Sequence, residues 1–256
     1  MRVCLVQLEV SLREPLEERV AQACELIRGC AGADLVVLPE LWPQGAWAYR
    51  QWAETAEPLD GPTVGALAEA AKDAGVLLHG GSLVERNGDQ LFNTSVLFGE
   101  NGDLRAIYRK IHRFGFAEGE ATLMTAGDQF LTLTGGPLTV GVATCYDLRF
   151  PELFRKLTEA GAQMFVIASS WPQRRLDHWR LLNRARAVEN LAYVVATDAC
   201  GEHAGVMQAG HSVVIDPWGE VLAEAGTEPT VLDVTIDPAK VEQIRADFPA
   251  LRDRRL

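Results

Sequence analysis

Short apolar runs and helical periodicities alternate along this chain. The pattern predicts a strand over 2–10, an amphipathic helix at about 16–30, a strand at Leu35-Val36-Val37-Leu38 and a helix after Gly61-Pro62. This is an α/β beginning. Three strands follow at 76–84, 91–98 and 104–109, separated by the turns Asn87-Gly88-Asp89 and Asn101-Gly102-Asp103, where each Asn-Gly marks a tight hairpin. The sheet is therefore expected to be mixed, with an antiparallel stretch in the middle. Beyond a loop from 111 to 129 the pattern resumes with strands near 130–134 and 137–144, a helix over 151–160, a strand at 164–168, a helix over 177–191 and a strand at 192–198. Further strands are expected at 211–216, near 220–224 and near 230–236, then a short helix from Pro238. So many strands need two sheets.

An internal echo points the same way. The segment from Ala31 to Gln44 matches that from Ala160 to Gln173 without a gap, and each copy follows a helix and forms a strand that ends in Trp-Pro-Gln. Two similar α/β halves packed sheet to sheet with helices outside would bury both faces of each sheet. With no linker or low-complexity stretch, residues 1–256 read as a single domain with an internal two-half repeat. Glu40 falls opposite Ser169 in the alignment, so only the first copy carries an acid there.

Three ionisable side chains stand where apolar strands stop: Glu40, Lys110 and Cys145. Ligand sites in α/β sheets collect at such strand ends. Cys145 lies between a strand's carboxyl end and a helix start favoured by Pro151-Glu152, a position expected to present the sulfur and to lower its pKa below about 8.5. Together the three describe acyl transfer: a thiolate attacks a carbonyl, an ammonium stabilises the oxyanion, and a carboxylate moves protons.

Composition narrows the partners. The balance of 24 basic against 35 acidic residues gives a formal charge of −11, which opposes nucleic acid phosphates and anionic lipid. No stretch approaches a membrane span and the amino end carries no secretory pattern, so a cytoplasmic location is expected. Five irregularly placed cysteines suit a reducing compartment, and neither they nor the five scattered histidines show metal-ligand spacing. His112 and His178 lack the motif of a Cys-His hydrolase and read as structural or rim residues.

With these residues in view, the sequence resembles the nitrilase (carbon-nitrogen hydrolase) superfamily from Val3 to about Ile236. The resemblance rests on Leu38-Pro39-Glu40, Tyr108-Arg109-Lys110-Ile111-His112, the run from Cys145 to Leu153, Arg186-Ala187-Val188-Glu189-Asn190, and the run from Gly210 to Gly219. It implies a four-layer αββα sandwich of two mixed sheets with helices on both outer faces, and a homodimer. It also implies a Glu-Lys-Cys triad of Glu40, Lys110 and Cys145, with no cofactor and no metal. A second acid is expected ahead of a small-residue turn; Glu120 keeps the spacing to Ala126-Gly127, and Glu118 is the competing assignment.

The Cys-Tyr-Asp-x-Arg-Phe-Pro-Glu-Leu signature and the Ser170-Trp171-Pro172 loop are most similar to the omega-amidase branch, which implies hydrolysis of the terminal amide of 2-oxo acids such as 2-oxoglutaramate. A thioester intermediate and release of ammonia come with that reading, and the Tyr146 backbone N–H is expected to help hold the oxyanion. An anionic substrate needs a fixed cation, for which Arg149, Arg113 and Arg174 are candidates. Arg149 could equally pair with Asp147 or Glu152. Phe116, Trp171 and Tyr146 are candidate pocket walls. The alternatives are a deaminated-glutathione amidase, an N-carbamoyl amino acid hydrolase, or a non-catalytic interaction protein on the same scaffold.

Overall fold

Strands covered on both faces explain the uninterrupted apolar runs, because alternate side chains then enter two different layers of core. The computed structural model describes residues 1–255. Its first half holds β1 (Arg2–Gln7), α1 (Leu16–Gly29), β2 (Leu35–Val37), α2 (Trp52–Thr55), α3 (Pro62–Ala74), β3 (Leu77–Asn87), β4 (Gln90–Phe98), β5 (Leu104–Arg109) and α4 (Glu120–Leu123). The second holds β6 (Thr132–Gly135), β7 (Leu138–Thr144), α5 (Pro151–Glu159), β8 (Met164–Ser169), α6 (Leu176–Asn190) and β9 (Tyr193–Asp198). The hairpin β10 (Glu202–His203) and β11 (Val206–Met207) follows, then β12 (Val213–Ile215), β13 (Val221–Glu224), β14 (Thr230–Thr235) and α7 (Ala239–Asp247).

Two six-stranded sheets result, ordered β14-β1-β2-β3-β4-β5 and β13-β12-β9-β8-β7-β6. Parallel trios form their centres, β1-β2-β3 and β7-β8-β9, and every other neighbour is antiparallel. The antiparallel stretch expected in the middle of the first sheet therefore stands at its edge. Helical crossovers return the chain beside its own parallel strands, whereas the tight hairpins can only add β4 and β5 outward from β3.

The side-chain alternation assigns the layers. Val3, Leu5, Leu35 and Val37 meet Val140, Val142, Met164, Val166 and Val195 between the sheets. Cys4, Val6, Val36 and Leu38 point the other way and are covered by Ala23 and Ile27 of α1 and Leu67 and Ala71 of α3. On the far side Phe165, Ile167, Val194 and Ala196 pack under Phe154 and Leu157 of α5 and Trp179 and Ala187 of α6. The outcome is the αββα sandwich. Among the described residues no helix is long and apolar enough to cross a membrane.

The expected strand over 2–10 stops at Gln7, because the next carbonyl belongs to the other half: Leu8 accepts the Cys200 N–H at 2.8 Å, and Glu9 bridges to Cys200. The elements α2, α4 and the β10–β11 hairpin escape the pattern, since strands of two residues and helices of four are too short for a period to show. Gly81 has a structural duty beside this core. At φ 69° it passes so close to the Pro39 carbonyl that a Cβ would lie 2.0 Å from that oxygen and 2.9 Å from the Trp42 ring. Gly81→Ala should lower the urea-unfolding midpoint by an amount worth about 2 kcal/mol or more, combining left-handed strain with the clash. An unchanged midpoint would mean that the Pro39 segment yields freely.

Candidate active site

Each acidic or basic group expected at a strand end is delivered to one place by a different backbone device. Past β2, the Pro39 carbonyl accepts the Ser82 N–H at 3.2 Å, and the Glu40 N–H crosses between the sheets to the Ser169 carbonyl, also at 3.2 Å. The residue after it, Leu41, adopts φ 46°. Past β5, the Lys110 N–H donates to the Asn93 carbonyl, and its own carbonyl accepts from Gly127, both at 2.9 Å. Gly127 is obligatory there, since a Cβ would stand 2.0 Å from the Arg109 carbonyl oxygen.

Past β7 the chain enters a five-residue 3-10 turn, Cys145–Arg149, with Cys145 held at φ 44°. A non-glycine residue in that region is strained and persists only where its surroundings fix it. Asp147 supplies the fixing. Fully buried, its carboxylate accepts the Thr144 N–H at 2.9 Å, the Tyr108 hydroxyl at 2.7 Å and the His112 N–H at 3.0 Å, and it meets His112 Nδ1 at 2.7 Å. The thiol-bearing turn is thus tied to the segment around Lys110. His112 is structural, as its type of contact implies, with its ring stacked on Phe150 at 3.7 Å.

At the centre lies a buried ion cluster. The Lys110 ammonium donates to Glu40 at 2.6 Å and to both oxygens of Glu120 at 2.8 and 3.0 Å, and all three residues are 5% exposed or less. The second oxygen of Glu40 accepts the Ser170 N–H at 3.0 Å, and Glu120 accepts the Phe114 N–H at 2.7 Å. The Asn93 amide donates to both carboxylates. Glu118, by contrast, is exposed at the cavity edge.

Burial by itself would lower the Lys110 pKa, but Glu120 and then Glu40 override it and hold it well above its ordinary value. The Glu120 carboxyl is pushed up by burial, with Lys110 opposing and Glu40 adding. Cys145 faces Glu40, Lys110 and the Ser170 N–H. Burial is the largest influence on its thiol and Glu40 adds to it; Lys110 and the Ser170 N–H oppose, and the pKa ends well above its ordinary value. This reverses the lowering expected from the position of Cys145 before a helix. The 3-10 turn separates the sulfur from α5, and desolvation of a thiolate outweighs the dipole.

Cys145 and the cluster form the floor of a cavity of about 310 Å³. Of the residues expected to bind substrate, Tyr146, Arg149, Trp171, Arg174 and Phe116 line it, Phe116 at the mouth with 89% of its surface exposed. Arg113 does not. Its guanidinium turns back to the Met124 carbonyl at 2.6 Å and the Ala121 carbonyl at 3.4 Å, pinning α4. Arg149 pairs with neither Asp147 nor Glu152; it stacks over Trp171 at 4.8 Å and meets His178 Nδ1 at 3.3 Å. Sequence reasoning missed Arg175, which stacks over Phe114 at 5.0 Å, together with the aromatic wall of Trp47, Tyr49, Trp52 and Phe114. It also missed Asn93, whose signal was three consecutive polar residues, Asn93-Thr94-Ser95, inside an apolar strand. Among the described residues no acid forms an ion pair with Arg149, Arg174 or Arg175.

A thiol, a carboxylate and an ammonium at the floor of one cavity can carry out nucleophilic attack on a carbonyl, proton transfer and oxyanion stabilisation. Known proteins agree with that capacity. The chain is 40% identical to the 2-oxoglutaramate amidase of Paenarthrobacter nicotinovorans, covering 99% of this chain and 89% of that one. It is 38% identical to the human omega-amidase NIT2, covering 99% and 95%. In three dimensions it matches a glutamate-to-glutamine mutant of the amidase from Nesterenkonia sp. AN1, which carries the acetamide moiety of fluoroacetamide covalently on its active-site cysteine. The TM-score is 0.88 at 27% identity, over 100% of this chain and 94% of that one. The sequence profile of carbon-nitrogen hydrolases matches residues 2–246, and with the cavity, its cysteine and these relatives taken together, the chain belongs to the carbon-nitrogen hydrolase family.

Proposed function

We propose that this enzyme hydrolyses a small, carboxylate-bearing linear amide to ammonia and the corresponding acid, as an omega-amidase acting on 2-oxoglutaramate-like substrates. One observation carries the reading: the Cys145 thiol, faced by Glu40 and Lys110, opens into a cavity lined by three arginines that have no acidic partner among the described residues. Names of the relatives support the same substrate class.

In this mechanism Glu40 takes the Cys145 proton as the sulfur bonds to the amide carbonyl carbon. Lys110 and the Tyr146 backbone N–H hold the oxyanion of the tetrahedral intermediate. The C–N bond breaks as Glu40 passes its proton to the nitrogen, ammonia leaves, and a thioester remains. Water then gives a proton to Glu40 and adds to the thioester; the C–S bond breaks, the thiolate recovers its proton, and the acid departs. A thiol that rests protonated suits this cycle, because the proton it surrenders is the one the leaving amine needs. Glu120 holds Lys110 in place. Arg149, Arg174 and Arg175 offer the substrate carboxylate charge-assisted hydrogen bonds. The protein acts without a cofactor, in the cytoplasm.

We also propose that it works as a homodimer. Helix α6 exposes Leu181 (66%) and Val188 (50%) on the outer layer, with Trp218 exposed nearby, and a second copy of this face would cover them. Sedimentation should report a dimer for the native chain and a monomer for Leu181→Glu/Val188→Glu; a native monomer would overturn this.

For the chemistry, Cys145→Ala should abolish ammonia release, and Lys110→Ala should lose about two to three orders of magnitude in kcat. Turnover surviving in Cys145→Ala, or no mass shift on Cys145 after treatment with an electrophilic amide, would favour a non-catalytic binding protein. For the substrate, 2-oxoglutaramate, deaminated glutathione and a carbamoyl amino acid are assayed side by side, with the first expected to give the highest kcat/KM. Replacing Arg149 or Arg175 by Met should raise KM for the anionic amide about tenfold while leaving a neutral amide of equal length unaffected. Equal losses on both amides would remove the arginines from carboxylate recognition.

A further inference from the structure

We propose that Asn93 is a positioning residue for proton transfer: its amide nitrogen donates one hydrogen to Glu40 and the other to Glu120, holding both carboxylates in place around a single ammonium. The inference rests on the reading of Glu40 as the base that serves Cys145.

Asn93 sits on β4, 3% exposed, and touches three members of the cluster: both acids through its side chain and Lys110 through its backbone carbonyl. A primary amide is the uncharged group that offers two hydrogens from one atom, so it can serve two acceptors without adding a charge. The direction of the amide is set by those acceptors, since reversing it would aim oxygen lone pairs at two carboxylates. Among the described residues its own oxygen, buried, has no hydrogen-bond partner. Leaving such an acceptor unpaired costs about 1–3 kcal/mol, a penalty that a residue kept for packing alone would not carry.

The charges explain why two donors are needed here. Glu40 is faced by Lys110 at the end of β5, by Glu120 on α4, by the Cys145 thiol after β7 and by Asp198 at the end of β9. Glu120 is faced by Lys110, Glu40 and the Phe114 N–H. One cation is thus set against two carboxylates and a third carboxyl group. Two carboxylates that share a site respond to a lost donor by taking up a proton between them. That proton would deprive Cys145 of its base. Because Asn93 does not line the cavity, substrate binding should be indifferent to its removal.

The test is the pH profile of kcat and KM for 2-oxoglutaramate from about pH 5 to about pH 9, in the full-length native enzyme and in Asn93→Leu. Weaker hydrogen bonding to the ionised carboxylates raises the pH at which they become free bases, so the acid limb of kcat should move upward. The expected shift is about one pH unit or more, with KM within about twofold of native and part of the lost kcat recovered at alkaline pH. Recovery with pH is what a loosened fold would not give. Circular dichroism and a cooperative melt establish that the variant is folded. Should it not fold, Asn93→Asp keeps the shape and adds a like charge, and its acid limb should also rise. A folded variant whose kcat falls equally at every pH, or whose KM rises with the limb unmoved, would overturn the proposal. Turnover surviving in Cys145→Ala would remove the underlying reading and this inference with it, whereas a native acid limb that either variant leaves in place overturns this inference alone.

Discussion

The ammonium of Lys110, enclosed between the carboxylates of Glu40 and Glu120, is the constraint around which the molecule is organised. Removing ions from water is costly, and the attraction between them offsets that cost only with close geometry and satisfied lone pairs. Here the geometry comes from both halves of the sandwich. Glu40 leaves the first sheet, yet its N–H is bonded to the Ser169 carbonyl of the second and its carboxylate to the Ser170 N–H. The cluster can therefore assemble only when the two sheets are stacked in register. Fold and site share one set of contacts, which is why glycines such as Gly81 and Gly127 stand where the backbone passes closest.

A second consequence concerns the thiol. In many cysteine enzymes a nearby cation holds a thiolate ready; here burial, with Glu40 adding to it against Lys110, raises the Cys145 pKa well above its ordinary value. In the proposed mechanism attack is then coupled to proton removal, so the distance and angle between sulfur and Glu40 matter more than the resting charge. Cys145 and Leu41, one bearing the sulfur and one following Glu40, both hold positive φ, and the fully buried Asp147 locks the first of them through Thr144, Tyr108 and His112.

What could be read from the residues follows from period and position. Strands and helices of five or more residues announced themselves, as did the three ionisable groups at strand ends, because a strand end is a statement about sequence. Glu120 could be preferred to Glu118 by its spacing to Ala126-Gly127, and burial against exposure separates them in the structure. Arg113 and Arg149 could not be sorted in the same way. One turns back to carbonyls and the other faces the cavity, a difference set by tertiary contacts of irregular segments. The same holds for Trp47, Tyr49, Phe114 and Arg175, which lie outside any long regular element. The thiol's pKa escapes the sequence for a related reason: a helix start is local and visible, whereas burial belongs to the whole fold.

The charge distribution carries the argument one step further. A protein of net charge −11 repels anions at long range, yet its cavity gathers three arginines. The two effects act at different distances. At physiological salt, fields from exposed charges decay over about 8 Å, so the acidic surface slows the approach of a small anion only weakly. Inside the cavity, screening is reduced, and guanidiniums stacked on Trp171 and Phe114 are already oriented. These arginines sit on the loop and turn segments around the opening, while Glu40, Lys110 and Cys145 sit at the ends of buried strands. In the proposed reading, substrate choice can thus be altered at the rim without disturbing the ion cluster that joins the two sheets.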